Sequence, residues 1–130
     1  MGKAVQRKTI TALNVIEERE EHRSATDQTL LNENLQTVAF LAKSLSDENR
    51  LRILMSLNDG KKSVNRIVEE LSLSQPLVSH HLKELKRSLL VKVERQGPFI
   101  YYEMVDKKII DILNEIGILG KALLTNRRTF

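Results

Sequence analysis

Between Ser74 and Arg87 six side chains able to donate hydrogen bonds, Gln75, Ser79, His80, Lys83, Lys86 and Arg87, alternate with an apolar set. Val78, Leu82, Leu85 and Leu89 recur at intervals of four, three and four, the period of one helix face, and the donors fall on the other side. A helix that enters the major groove of DNA reads base edges with the side chains near its N-terminus and holds phosphates with cations elsewhere. Gln75, Ser79 and His80 are therefore expected base readers, and Lys83, Lys86 and Arg87 expected phosphate contacts. Ser74 stands at the start of the same surface as the helix cap. A solvated amphipathic face is the ordinary alternative for such a helix, so the weight of the reading rests on its neighbours.

The two adjacent histidines divide. His80 lies on the outward face, whereas His81 follows Val78 by three residues and is expected to be partly buried and hydrogen-bonded within the domain. Successive helical side chains point about 100° apart, so this pair is poorly placed to chelate one metal. His22 with Glu18 and Glu21 reads as a solvated charged face rather than a zinc site. No nucleophile–base–acid set and no Gly-rich phosphate loop appears, which argues against an enzyme, and no cofactor is implied.

The elements around Ser74–Arg87 have their own signals. Ser63 is expected to cap a short helix, Val64–Leu71, with Val64, Ile67, Val68 and Leu71 inward; a turn at Ser72-Leu73 leads to Ser74, and Pro76 sits in the first turn, where its missing N–H costs nothing. A short helix, a tight turn and a longer capped helix make a helix-turn-helix. Two strands follow, Val91–Arg95 and Phe99–Val105, joined by Gln96-Gly97-Pro98, with Ile100, Tyr102 and Met104 on one face. Lys92, Arg95 and Gln96 would bring this hairpin to the phosphates or minor groove beside the reading helix.

Upstream, Leu31, Leu35, Val38, Ala42 and Leu45 form a stripe over a helix from Gln28 to Leu45, suited to packing on its own core or to sharing between two subunits. Ser46-Asp47 cap a helix Glu48–Leu57 with Leu51, Leu54, Met55 and Leu57 inward, ended by Asn58-Asp59-Gly60 with Gly60 in the left-handed conformation. Asp106 caps a last helix through Ile109, Ile110, Leu113 and Ile116, which Gly117 and Gly120 weaken. Residues 1–29 are expected to be an arm, partly helical or disordered, with a break at Ser24-Ala25-Thr26-Asp27; residues 30–120 the folded domain; and residues 121–130 a frayed tail. The fold class is mainly α with one small β-hairpin, in the order helix, helix, helix, helix, strand, strand, helix.

Charge supports the nucleic-acid reading. The 130 residues carry a formal +4, and the span Lys61–Arg95 alone, with eight basic and four acidic residues, holds an excess of four. Glu17–Glu33, with six acidic residues against two arginines, holds the opposite. Aromatics make up only 4%, which argues against base-stacking recognition of single strands. Cysteine is absent, excluding disulfides and thiolate metal sites, and no apolar run approaches the roughly 20 residues of a membrane span. With no secretory signal and Gln6 where a myristoylation motif wants Ser or Thr, a cytoplasmic location is expected.

Three segments resemble one family, the arsenic-repressor-type (ArsR/SmtB) winged-helix regulators. Leu41–Leu54 is similar to its opening signature, Leu73–Leu85 to its recognition helix, and Arg95–Tyr102 to its wing. The resemblance spans roughly Leu35–Ile116 and implies a homodimer that binds palindromic operator DNA and usually represses. It also implies a dimer interface on the first and last core helices, here Leu31, Leu35, Val38 and Ala42 with Ile109, Leu113 and Ile116. The family's metal sites have no counterpart: Lys62-Ser63-Val64-Asn65-Arg66 offers no thiolate, and Asp106-Lys107-Lys108 places a cation where a histidine ligand would stand. The inducer is thus left open, and a winged-helix module that binds a partner protein through its basic face is the alternative function.

Overall fold

The computed structural model describes the backbone of residues 2–127, and the side chains of residues 12–127 except His22. The chain forms two compact units, Met1–Ala39 and Phe40–Phe130, which we treat separately.

In the first unit, α1 (Gly2–Glu33) is one continuous helix, and α2 (Leu35–Ser44) begins after a single turn residue. The expected break at Ser24–Asp27 is absent. Thr29 Oγ1 donates to the Ala25 carbonyl at 2.9 Å, so a residue type that often caps a helix is satisfied inside one. The turn falls at Asn34 instead, whose Nδ2 donates back to the Leu30 carbonyl at 2.7 Å.

The second unit is a winged helix-turn-helix. It comprises the end of α2, α3 (Glu48–Ser56), a 3₁₀ turn (Leu57–Asp59), α4 (Val64–Leu71), α5 (Gln75–Arg87), the strands β1 (Val91–Gln96) and β2 (Phe99–Met104), and α6 (Lys108–Asn126). Three side chains start three helices as expected. Asp47 accepts from the Arg50 N–H at 3.0 Å, Ser63 from Arg66 at 3.2 Å and Ser74 from Leu77 at 3.3 Å. Each removes one of the donors that a helix start leaves without an internal partner. The last helix starts differently: its N-cap is Lys107, which makes no side-chain capping bond, and Asp106, expected as the cap, stands one residue earlier and accepts from the Lys108 N–H at 2.9 Å.

Ile53, Leu54, Leu57, Ile67, Val78, Leu82, Leu85, Leu90, Val91 and Met104 form the core, with Leu41, Leu45, Ile109 and Leu113 packed on its edge. Met55, expected inward, is 62% exposed. The buried residues of α3 are Ile53 and Leu54, followed by Leu57 in the 3₁₀ turn, and one 100° step beyond Leu54 carries Met55 into solvent. Gly60 has a positive φ as expected, but with φ 138° and ψ −179° it lies in the extended region open only to glycine rather than in the left-handed helical one. α6 continues through Gly117 and Gly120 to Asn126, since a helical glycine costs only about 1 kcal/mol and leucine, isoleucine and alanine neighbours favour the helix. The expected tail is helical up to that point, and residues 128–130 lie outside the described set.

β1 and β2 pair antiparallel, with Val91 opposite Met104 and Gln96 opposite Phe99. Gly97 and Pro98 alone make the turn. Gly97 has φ 60°, and a positive-φ glycine at the first of two turn positions matches the right-handed twist of a hairpin. Lys62, just before α4, forms an isolated antiparallel bridge to Tyr102 through reciprocal backbone bonds of 2.9 and 2.8 Å, which fastens the hairpin to the helices.

The C-terminus of α5 departs from its apolar period. Leu89 N–H donates to Lys86 and Leu90 N–H to Leu85, both at 3.0 Å, which is the Schellman arrangement. Leu89 occupies its left-handed position, with φ 64° and 77% exposure, and Leu90 takes the core place expected for Leu89. A left-handed leucine is strained, and here no burial compensates it. Leu89→Gly should therefore raise the unfolding free energy by about 0.5–1 kcal/mol, read as a higher urea midpoint at unchanged slope; a lower midpoint would contradict this account.

Candidate nucleic-acid interface

α5 is fixed in rotation by Val78, Leu82 and Leu85, all fully buried, and in extent by the Ser74 cap and the Leu89 turn. What remains outward is an arc of Gln75, Ser79, His80, Lys83, Lys86 and Arg87, with Ser79 half-buried and the others exposed. The six do not behave alike. Lys83 and Lys86 have no ion pair among the described residues, whereas Arg87 Nη1 lies 3.2 Å from Glu84 Oε1 one turn back. His80, Glu84 and Arg87 form the edge of the arc that lines a cleft with Phe40, Lys43, Ser44, Arg50 and Ser88. Gln75, Ser79, Lys83 and Lys86 lie clear of that cleft.

The hairpin residues are also divided. Pairing of Lys92 with Glu103 and of Arg95 with Ile100 puts Lys92 and Arg95 on opposite faces, because side chains alternate along a strand. Lys92 Nζ is 3.6 Å from Glu103 Oε2. Gln96 Nε2 donates to Glu94 Oε1 at 3.2 Å, and Lys61 Nζ pairs with Glu94 Oε2 at 3.0 Å while lying 5.6 Å from the Tyr101 ring centroid. Arg95 is exposed with no ion pair among the described residues, and is the freest cation of the wing.

A second cationic feature holds the unit together. Lys62, with its side chain 11% exposed, reaches Glu70 Oε2 at 2.7 Å, Asp59 Oδ1 at 2.8 Å and the Ser56 carbonyl. Arg66 Nε completes the group with Glu70 Oε1 at 2.9 Å. Burial pulls the Lys62 ammonium downward, but the hydrogen bonds it donates to Asp59 and Glu70 outweigh that and hold its pKa above the ordinary value. The same bonds hold both carboxyls below theirs. Lys61 and Lys62 stand in the basic run of the sequence, yet both are spent on structure, and only tertiary contacts reveal it.

On α6 the expected interface residues separate. Ile109 and Leu113 pack against the core of their own chain, while Ile116 is exposed together with Ile112, Leu119 and Leu123 at spacings of four, three and four. Ala42 of α2 is exposed, and in the first unit Leu31, Leu35 and Val38 are exposed as well. Among the described residues no group of three or more acidic, cysteine or histidine side chains is arranged to hold a metal. The His22 side chain, weighed above with Glu18 and Glu21, lies outside the described set. No described helix is long and apolar enough to cross a membrane.

His81 is 5% exposed, with Nε2 at 3.6 Å from Asp47 Oδ1 and Nδ1 without a hydrogen-bond partner. The burial was expected; the intradomain hydrogen bond was not found, since 3.6 Å is too long for one.

Residues 47–93 match the family described as bacterial regulatory protein, arsR family. The chain is 36% identical over 88 residues to an uncharacterized HTH-type transcriptional regulator of Methanocaldococcus jannaschii, a match covering 67% of this chain and 99% of that one. It is 36% identical over 72 residues to the transcriptional repressor SdpR of Bacillus subtilis, covering 55% of this chain and 80% of the repressor. Its fold is similar to the solution structure of a homodimeric winged helix-turn-helix DNA-binding domain from Mycobacterium bovis, with TM-score 0.62, 25% identity, and coverage of 73% of this chain and 88% of that one.

Desolvation holds the His81 pKa below the usual 6.5, with Arg50 and His80 adding to the effect and Asp47 and Glu84 opposing it. Above pH 6.5 the imidazole is neutral in folded and unfolded chains alike, and no penalty arises. Below it the unfolded chain takes up a proton that the folded one resists, so stability falls as pH drops toward the depressed native value. The loss from this one group should approach but not exceed about 1.4 kcal/mol per pH unit. Chemical unfolding at a series of pH values between neutral and mildly acidic should show that slope, and His81→Gln should flatten it; an equal slope in both proteins would remove His81 as its source.

Proposed function

The chain belongs to the arsR family of bacterial regulatory proteins, and on that premise we propose that it is a cytoplasmic, double-stranded-DNA-binding transcriptional repressor that grips a palindromic operator as a homodimer. The observation that carries this is the surface of α5. Its buried side is fully used by the core, and its outer side offers Gln75, Ser79, Lys83 and Lys86, with neither lysine engaged by a carboxylate among the described residues. Gln75 and Ser79, at the capped N-terminal end, meet base edges; the two lysines, further along, meet phosphates. Ser74 orients the helix start, His80 and Arg87 flank the reading surface, and Arg95, with Lys92 and Gln96 beside it, carries the wing to the adjacent backbone.

Dimerisation is supported by the exposed stripe Ile112, Ile116, Leu119 and Leu123 on α6, whose spacing is that of a helix seam. Exposed Ala42 in the second unit and, separately, exposed Leu31, Leu35 and Val38 in the first are further apolar side chains open to a second copy, and Ile109 and Leu113 brace the α6 seam from beneath. Two-fold symmetry then sets half-sites about one helical turn (~10 bp) or a small multiple apart.

Genomic fragments selected by the full chain, followed by anisotropy titrations, test this reading. Gln75→Ala with Ser79→Ala should cost about 1–3 kcal/mol on the selected site and little on scrambled DNA. Lys86→Ala should weaken both alike and reduce the salt slope by about one for each protomer. Failure to enrich any fragment, or an affinity insensitive to salt, would sink the proposal.

A further inference from the structure

The cleft beside α5 has a composition that DNA reading leaves unexplained. Its volume is about 390 Å³, and its walls come from α2 (Phe40, Lys43, Ser44), α3 (Arg50) and α5 (His80, Glu84, Arg87, Ser88). That volume lies toward the small end of the roughly 300–1,000 Å³ of ligand pockets. Three full cations face one carboxylate, and Arg87 already neutralises that carboxylate at 3.2 Å. Arg50 is positioned by two backbone carbonyls: Nε donates to the Ser44 carbonyl at 2.6 Å and Nη2 to the Lys43 carbonyl at 3.2 Å. Neither Lys43 nor Arg50 has an acidic partner within ion-pair distance among the described residues. The remaining wall is Phe40, an aromatic ring left 50% exposed.

We propose that this cleft binds a small organic oxyanion, a carboxylate or phosphate monoester carried on a flat apolar body, and that the bound anion weakens the grip of α5 on DNA. The body lies against Phe40, and the oxyanion sits between Lys43 and Arg50, the Arg50 guanidinium being held in place by two backbone carbonyls and the exposed Lys43 ammonium closing over it. His80, on the same wall, supplies a polar contact. Since His80 and Arg87 border both the cleft and the outward arc of α5, an occupant draws on the side chains that flank the reading surface. This gives the regulator a release signal that needs neither cysteine nor metal. The release role rests on the DNA-binding reading above; occupancy of the cleft does not.

Benzoate and phenyl phosphate are suitable probes, with benzamide as the uncharged control. Titrated into the full chain without DNA, each anion should bind saturably at one per chain and shift the His80 imidazole resonances. Phe40→Ala and Lys43→Gln, both exposed substitutions that should leave the circular dichroism unchanged, should each weaken binding about tenfold or more, the first by loss of apolar burial and the second by loss of one charge-assisted contact. Absence of any His80 shift up to the solubility limit, equal binding of benzamide, or wild-type affinity in both variants would overturn the site. With a selected DNA fragment present, benzoate should weaken DNA binding by about fivefold or more in the wild type and not in Lys43→Gln. Anion binding with unchanged DNA affinity would overturn the release role. Should no DNA be bound at all, the titration of the free chain still decides the site.

Discussion

The burial of one side of α5 is the constraint on which the rest depends. Val78, Leu82 and Leu85 are fully enclosed between α3, α4 and the hairpin, so the helix can neither roll nor slide without opening the core. Interiors packed to crystal-like density leave such side chains one rotational setting. The outward arc is therefore not a set of residues that happen to be exposed but the complement of a fixed interior. The Ser74 cap sets where that arc begins, and the reversal at Leu89 sets where it stops.

Charge is sorted by depth around this frame. The deep cations do structural work: Lys62 joins the end of α3 to α4 through Asp59 and Glu70, and Arg50 closes the end of α2 by taking its last carbonyls. Lys62 itself remains charged because two carboxylates and a carbonyl surround it, which is the condition under which a buried ammonium is tolerated. The shallow cations Lys83, Lys86 and Arg95 have no such partners, and their charge is available to polyanions. A net charge of +4 hides this division, since a count gives each of these residues the same weight.

Much of the architecture was legible in the sequence because it is written in local signals. Ser63, Ser74 and Asp47 announce helix starts by type and position, and Gly97-Pro98 announces the hairpin turn. Leu89 was misassigned for a physical reason: the spacing of four from Leu85 holds only while the helix continues, and periodicity carries no mark of the reversal that sends Leu89 out and Leu90 in. Met55 failed for the related reason that a wide apolar run on a short helix exceeds the face it can bury. The break at Ser24–Asp27 failed because residue types that often cap helices are also accommodated inside them, as Thr29 is when its hydroxyl bonds to the Ala25 carbonyl one turn back. The outward face of α5 was visible from period alone. The wall that Phe40, Lys43 and Arg50 build beside His80 was not, because it joins three elements with no common spacing.

The bridge between Lys62 and Tyr102 ties together residues forty positions apart, and α4, α5 and β1 lie inside the loop it closes. A loop closed at its neck by reciprocal backbone bonds opens as one piece or not at all. The helix α5 thus belongs to a single cooperative unit, and its core amides should share one opening free energy with those of the wing. For a DNA reader this means that helix and wing arrive at the duplex already registered to each other. The entropy of aligning them is lost during folding, once, rather than at every encounter with DNA.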